Sequence, residues 1–107
     1  MTFGELRSLA LALPQVEEQP HFDYVSFRYK GRILATVLPE LTHAHVFLEE
    51  DAIDAAAGRP GAEVREWGRT RYLRVALAEA DTFDMFGWLQ AAWRRRAPKR
   101  VWTVVNR

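Results

Sequence analysis

The end of the sequence carries a run of cations that could bind an anion. The stretch AAWRRRAPKR, residues 91–100, places five positive charges behind a tryptophan. Residues 1–90 hold nine Lys/Arg against fourteen Asp/Glu, a balance of −5, whereas residues 91–107 hold six Lys/Arg and no acidic residue. Cations in the last turn of a helix are stabilised by the helix dipole, which accounts for the three consecutive arginines. Lys99 and Arg100 lie beyond that helix and are therefore better candidates for contact with phosphate groups.

Three histidines could begin a metal site. His43 and His45 have the spacing H-x-H on a segment that alternates between apolar and polar residues, so both would project from one face of a strand. Imidazole is a common ligand of zinc and iron, but a third ligand is needed. His21, in the loop before the first predicted strand, could supply it. Three histidines in separate segments are more often ordinary surface or core residues, and we expect no metal.

Other catalytic groupings are not apparent in the sequence. The absence of cysteine excludes a disulfide framework, a thiolate metal site and a cysteine nucleophile, and fits a reducing cytoplasm. No serine has the context of a nucleophile elbow, and no glycine-rich phosphate loop occurs. Glu17 and Glu18 are adjacent in a predicted loop, where two carboxylates rarely face one substrate. We therefore expect a protein that is not an enzyme and has no cofactor.

Helices are predicted at the two ends of the chain. Thr2 and Glu5 have the spacing of a capping box, and Pro14 ends the first helix at Leu13. The second long helix opens at ADTFD, residues 80–84, and Pro98 ends it. The side chains on the apolar stripes are Leu6, Leu9, Ala10 and Leu13 in the first helix, and Phe86, Leu89 and Trp93 in the second.

Between these helices, about five segments alternate with a period of two, as half-buried strands do. Lys30 and Gly31 form the turn of one predicted hairpin, Gly68 lies in the turn of another, and a short alanine-rich helix ending at Gly58 separates them. The sequence predicts an α+β fold: one domain, residues 1–107, built as a two-layer sandwich with both terminal helices on one face of an antiparallel sheet. The predicted core set is Val25, Phe27, Tyr29, Ile33, Ala35, Val37, Ala44, Val46, Leu48, Val64, Leu73, Val75 and Leu77.

Period-two alternation sends the remaining side chains to the other face of the sheet. Basic and aromatic residues there suit a polyanion with flat bases, because guanidinium groups neutralise phosphate while the rings offer stacking surfaces. An ordinary solvated sheet face is the alternative interpretation. This set contains Tyr24, Ser26, Arg28, Thr36, His43, His45, Glu63, Arg65, Trp67, Tyr72 and Arg74, with Lys30, Arg32, Arg69 and Arg71 at the hairpin tips.

The segments LALPQVEEQPHFDYVSFRYKGRILATV, WGRTRYLRVALAEAD and AAWRRRAPKR together resemble the MmcQ/YjbR family over nearly the whole chain. The resemblance implies a fold like that of frataxin and its bacterial counterpart CyaY. It also implies DNA binding through a "double wing" of two hairpins, whose tips here would be Lys30, Gly31 and Arg32, and Gly68, Arg69 and Arg71. The family has no established enzymatic activity and no agreed catalytic residues. Frataxin-type iron handling uses a carboxylate-rich first helix, whereas the first helix here offers only Glu5.

Two functions of different classes are expected from these observations. The first is DNA binding, with contacts to the phosphate backbone from the sheet face, the hairpin tips and Lys99 and Arg100, and without base readout. The second is a protein-interaction module or a small-ligand-binding domain. It would use the exposed sheet face or the apolar tail VWTVVNR, residues 101–107, which could add a strand to a neighbour or bury Trp102 in a partner. We expect a cytoplasmic monomer or weak homodimer with no membrane segment.

Overall fold

Two helices enclose a meander of strands in the computed structural model, which describes residues 1–104. The capping box predicted at the first helix is present, since the Thr2 hydroxyl accepts from the Glu5 amide and Glu5 accepts from the Thr2 amide. The Asp81 carboxylate caps the last helix by accepting from the Phe83 amide. The elements are α1 Phe3–Leu11, β1 Val16–His21, β2 Tyr24–Tyr29, β3 Arg32–Val37, β4 His43–Val46, α2 Glu50–Ala56, β5 Ala62–Trp67, β6 Thr70–Ala76, α3 Thr82–Arg96 and a 3₁₀ helix Lys99–Val104.

The strands form one antiparallel sheet in the order β1-β2-β3-β4-β6-β5. Helices α1 and α3 pack against each other on one face of this sheet, and α2 packs against β6. The α+β architecture with a helix at each end is therefore confirmed, with six strands where about five were predicted. The opposite face carries no helix in the described part of the chain, and we call it the open face.

The additional strand is β1, which the sequence does not signal. Its residues VEEQPH lack apolar alternation and include Pro20, which cannot donate a ladder hydrogen bond. An edge position tolerates such a residue, and β1 is at the edge, paired only with β2. His21, predicted in a loop, is the last residue of this strand and lies opposite Tyr24.

The core lies between the sheet and the helices. Trp93 is fully buried, and its indole nitrogen donates a hydrogen bond of 2.9 Å to the carbonyl oxygen of Pro14, which ties α3 to the end of α1. Its ring meets the Tyr29 ring edge-on at 6.3 Å between centroids. Helix α1 ends at Leu11, two residues earlier than predicted, although Leu13 is still buried.

One predicted core residue lies on the wrong side of the sheet. The β2–β3 register is irregular: Phe27 pairs with Ala35, but Arg28 pairs with Ile33, so Leu34 is an extra residue in β3. Because a bulge reverses the alternation, Leu34 enters the core at 1% exposure, and Ile33 points to the open face. The prediction of Ile33 as a core residue was therefore wrong.

The C-terminal segment is also different from its prediction. Residues 101–104 belong to the 3₁₀ helix and are not extended, while residues 105–107 lie outside the described residues. The Trp102 indole nitrogen donates to the Ala97 carbonyl oxygen at 2.9 Å, and the Arg94 guanidinium lies 5.7 Å from the Trp102 ring centroid. Trp102 therefore packs on its own chain. Among the described helices, none is long and apolar enough to cross a bilayer.

Candidate functional site: an aromatic cleft on the open face

The open face is organised by a row of side chains that crosses all six strands. Cross-strand pairing joins neighbouring members of this row, and paired residues share a face of the sheet. The members in spatial order are Gln19, Ser26, Thr36, His45, Arg74 and Glu63. Arg28 is two residues from Ser26. Tyr72 and Thr70 precede Arg74 by two and four residues on β6, and Trp67 is paired to Thr70. Arg28, Trp67 and Arg74 consequently share the open face, as predicted.

Rings line a cleft of about 610 Å³ on this face, which we call the aromatic cleft. Its floor is a chain of ring contacts, with centroid distances of 6.2 Å from Tyr24 to His45, 4.8 Å from His45 to Tyr72 and 5.9 Å from Tyr72 to Phe47. The lining residues are His21, Phe22, Asp23, Tyr24, Ile33, Thr36, His45, Phe47, Trp67, Thr70 and Tyr72. A cleft of this size and character can hold a planar organic ring.

Two exposed aromatic residues stand at the margins of the cleft. Phe22, in the β1–β2 turn, is 92% exposed and has a φ of 57°, and Trp67, at the end of β5, is 85% exposed. A bulky side chain at positive φ is strained, and neither ring gains from burial within the chain. Large apolar rings left in water beside a cleft commonly mark a binding surface.

His45 is the neutral centre of the cleft floor. Burial, followed by the positive charges of Arg74, His43 and Arg65, lowers the pKa of His45 to about 4. Nη1 of Arg74 lies 3.2 Å from Nε2 of His45, and because a guanidinium only donates, Nε2 is the acceptor and the ring proton is on Nδ1. The imidazole thus offers a neutral ring near pH 7, with a cation fixed beside it.

Arg28 is held in a second hydrogen-bonded group on the open face. Its Nε donates to the Ser26 hydroxyl at 2.9 Å, and its Nη2 donates to Nδ1 of His21 at 3.2 Å. The buried Ser26 hydroxyl in turn donates to the Gln19 carbonyl oxygen at 2.7 Å. These hydrogen bonds fix the guanidinium of Arg28 on the open face, where Glu17 is its cross-strand partner.

A second cleft adjoins the first where β4 ends. It has a volume of about 500 Å³ and is lined by Arg32, Ile33, Phe47, Thr70, Arg95 and Arg96. Ile33, Phe47 and Thr70 line both clefts, so the two are continuous. We call this second cleft the arginine notch.

The predicted binding residues do not all lie on the open face. Trp67 and Tyr72 line the aromatic cleft, and Arg28, Arg65 and Arg74 share its face, although Arg65 is paired with Glu63 at 3.0 Å. Arg69 is exposed at the β5–β6 tip, Arg32 lines the arginine notch, and Lys30 lies over the ring of Tyr29 at 5.7 Å from its centroid.

Three of the predicted cations lie elsewhere. Arg71 points to the helix side, where its guanidinium pairs with Glu50 and, at 3.0 Å, with Asp54, because it is one residue out of phase with Tyr72. Lys99 lines a separate cavity in the helix layer, and Arg100 follows it in the 3₁₀ helix. Placing Arg71 at the rim of the open face was therefore wrong, and the structure does not bring Lys99 into either cleft.

Sequence reasoning missed several lining residues. Phe22 and Phe47 were not assigned to the open face, Ile33 was assigned to the core, and Arg95 and Arg96 were explained by the helix dipole alone. Continued alternation from His43 and His45 would have placed Phe47 correctly. No sequence signal marks the bulge that moves Ile33.

The structure does not bring the three histidines together as a cluster of three ligands. His43 and His45 project from one face of β4, as predicted, but His21 lies on β1 at the sheet edge, with β2 and β3 between. Within residues 1–104, no group of three or more His, Asp or Glu side chains is arranged to hold a metal ion. His45 instead uses Nε2 to accept from Arg74.

No protein-family model matches the chain, and no curated protein matches it either. The resemblance to the MmcQ/YjbR family therefore stays a prediction.

Proposed function

We propose that the chain binds single-stranded DNA through the open face. The observation that carries this proposal is the continuity of the aromatic cleft with the arginine notch, through the shared wall of Ile33, Phe47 and Thr70. A nucleotide has two parts that match these two clefts: a flat base for the aromatic cleft and a phosphate for the arginine notch. Stacking on aromatic side chains contributes about 1–3 kcal/mol per base, and arginines track the backbone.

The charge on the open face favours a single strand over a duplex. Comparable numbers of cations and carboxylates occupy this face: Arg28, Arg65 and Arg74 with Glu17, Asp23 and Glu63. Duplex binding without base readout depends on many cations that neutralise phosphates, and the open face has no such excess of positive charge. The bases of a duplex are also stacked on one another and cannot enter an aromatic cleft. Stacking must supply most of the affinity, and only unpaired bases can stack.

A small planar ligand is a second candidate, favoured by the cleft volume. A volume of about 610 Å³ lies within the range of about 300–1,000 Å³ usual for small-molecule pockets. A free ligand would need only the aromatic cleft, so its affinity would not rise with the length of an oligonucleotide. The apolar tail offers less support for a partner-binding role, because Trp102 is hydrogen-bonded to Ala97 in its own chain.

The proposal is tested by fluorescence anisotropy of a labelled oligothymidylate, with a duplex of the same length and heparin as competitors. We expect the single strand to bind most tightly. If about three phosphates are contacted, log K falls against log salt with a slope of about −2. Trp67→Ala removes a stacking surface and should weaken binding about tenfold.

The matched control is Phe83→Ala. Phe83 is 83% exposed, like Trp67, but it lies in the first turn of α3, in the helix layer. We expect this variant to bind like the unaltered protein. Equal binding of single strand, duplex and heparin, or equal losses for Trp67→Ala and Phe83→Ala, would refute stacking on the open face.

A further inference from the structure

The arginine notch exists because β4 is shorter than its neighbours. Val46, its last residue, pairs with Ala35 and Leu73, after which the chain leaves the sheet for α2. The first residues of β3 and β6 therefore extend past the end of β4 with no strand between them. Arg95 and Arg96, in the last turn of α3, line the resulting cleft together with Ile33, Phe47 and Thr70.

The notch gathers more positive charge than its surroundings neutralise. Arg95 pairs with Glu49 at 3.1 Å. Arg32 and Arg96 have no ion pair within residues 1–104. Partial burial of Arg96, and then the charges of Arg95 and Arg32, lower the pKa of its guanidinium, and the charge of Glu49 opposes this only in part. With Arg95 paired to Glu49, Arg32 and Arg96 remain as two like charges at one cleft, and an anion placed between them would relieve their repulsion.

Thr70 adds a neutral donor to this cluster. It is exposed at the start of β6, opposite Trp67, and it lines the notch and the aromatic cleft. A hydroxyl beside guanidinium groups is a common arrangement around phosphate oxygens, since both donate hydrogen bonds.

We propose that the arginine notch holds a terminal phosphate monoester, bound by Arg32, Arg96 and Thr70, while the nucleobase attached to it lies in the aromatic cleft. The placement of the base rests on the proposed function, whereas the phosphate site depends only on the residues of the notch. A monoester carries a charge close to −2 near pH 7 and three free oxygens, whereas an internal diester carries −1. Two unneutralised arginines match the monoester better.

The ligand chemistry has two sources, a free mononucleotide and the phosphorylated end of a strand. Isothermal titration calorimetry would compare thymidine with thymidine monophosphate, and oligothymidylates with a 5′ phosphate, a 3′ phosphate or neither. We expect the monophosphate to bind at least tenfold more tightly than thymidine, and one of the end-phosphorylated oligomers to bind more tightly than the unphosphorylated one. Inorganic phosphate should raise the melting temperature of the protein.

Arg32→Gln and Arg96→Gln should each remove most of the gain from the terminal phosphate and leave thymidine binding unchanged. Arg100→Gln is the matched control, because Arg100 is exposed and lines neither cleft. Arg96→Gln relieves repulsion, so its melting temperature without phosphate should not fall. This keeps a loss of binding distinct from a loss of folding.

The outcomes separate the two proposals. If phosphorylated and unphosphorylated oligomers bind equally, and phosphate stabilises the variants as much as the unaltered protein, the terminal-phosphate site is refuted while single-strand binding stands. If no oligomer binds, but the monophosphate binds in a way that depends on Arg32 and Arg96, single-strand binding fails and the phosphate site stands, with a free nucleotide as its ligand.

Discussion

Nη1 of Arg74 donates a hydrogen bond of 3.2 Å to Nε2 of His45 in the middle of the open face. The two residues are cross-strand partners on β6 and β4, and His45 also touches the rings of Tyr24 and Tyr72. Protonation of His45 would break this hydrogen bond and place a cation against a guanidinium. The hydrogen bond between Arg74 and His45 is therefore kept only while His45 is neutral.

Because of His45, the protein should become less stable as the pH is lowered. Its pKa is about 4 in the folded protein and 6.5 in its ordinary state, so the unfolded chain binds more protons between these values. The free energy of unfolding should then decrease as the pH falls from about 6.5 to about 4. Because His45 is partly exposed, solvent screens part of this effect, and we expect the free energy of unfolding to decrease by about 1–2 kcal/mol. Urea denaturation at a series of pH values measures it.

The control for this pH dependence is His45→Gln, which does not titrate in that range. It should flatten the curve between pH 4 and 6.5, whatever its effect on stability at pH 7. An unchanged slope in the variant would mean that another group is responsible.

At Gly61 the backbone packs closely against the segment that contains Ala76 and Ala80. A Cβ on this residue would lie 2.8 Å from the Ala76 carbonyl oxygen and 3.0 Å from the Ala80 amide nitrogen, and its φ is +75°. Because backbone cannot yield as a flexible side chain does, Gly61→Ala should cost about 2 kcal/mol or more. Gly87→Ala, at an open position in α3, should instead stabilise the protein by about 0.5–1 kcal/mol. Denaturant midpoints of the two variants should therefore move in opposite directions.

The sequence predicted most of the layer architecture because local signals and burial agree there. Thr2 with Glu5 marks the first helix, and the Lys30-Gly31 turn, with φ of 46° and 84°, joins β2 to β3 as its residue types indicate. The site was less predictable, because the walls of the two clefts depend on where β4 ends and on the bulge in β3. The length of β4, which opens the arginine notch, and the extra residue in β3 are set by tertiary packing and leave no mark in the local pattern.

The bulge in β3 can be tested with two neighbouring apolar residues. Simple alternation makes Ile33 a core residue, whereas the structure buries Leu34 and places Ile33 in the cleft wall. Leu34→Ala should cost about 2–5 kcal/mol of stability through the cavity it leaves. Ile33→Ala should cost about 1 kcal/mol, and it should weaken oligothymidylate binding, because Ile33 lines both clefts. Chemical denaturation in which Ile33→Ala is the more destabilised variant would contradict the register.

Phe22 should show opposite effects on stability and on binding. Its φ of 57° suits glycine, and its ring is 92% exposed at the margin of the aromatic cleft. Phe22→Gly should raise the free energy of unfolding by about 0.5–1 kcal/mol, because the strain is relieved and little burial is lost. The same variant should bind oligothymidylate several-fold more weakly, since it loses a stacking surface.

Phe22→Ala separates the two effects. It removes the ring but keeps a Cβ at positive φ, so binding should weaken as in Phe22→Gly without the gain in stability. Thermal unfolding and anisotropy titrations on the three proteins give both quantities. A glycine variant that is stabilised yet binds normally would show that Phe22 is only a strained turn residue. A glycine variant that is destabilised would show instead that contacts within the chain hold the Phe22 ring. The ring would then not be a free stacking surface of the aromatic cleft.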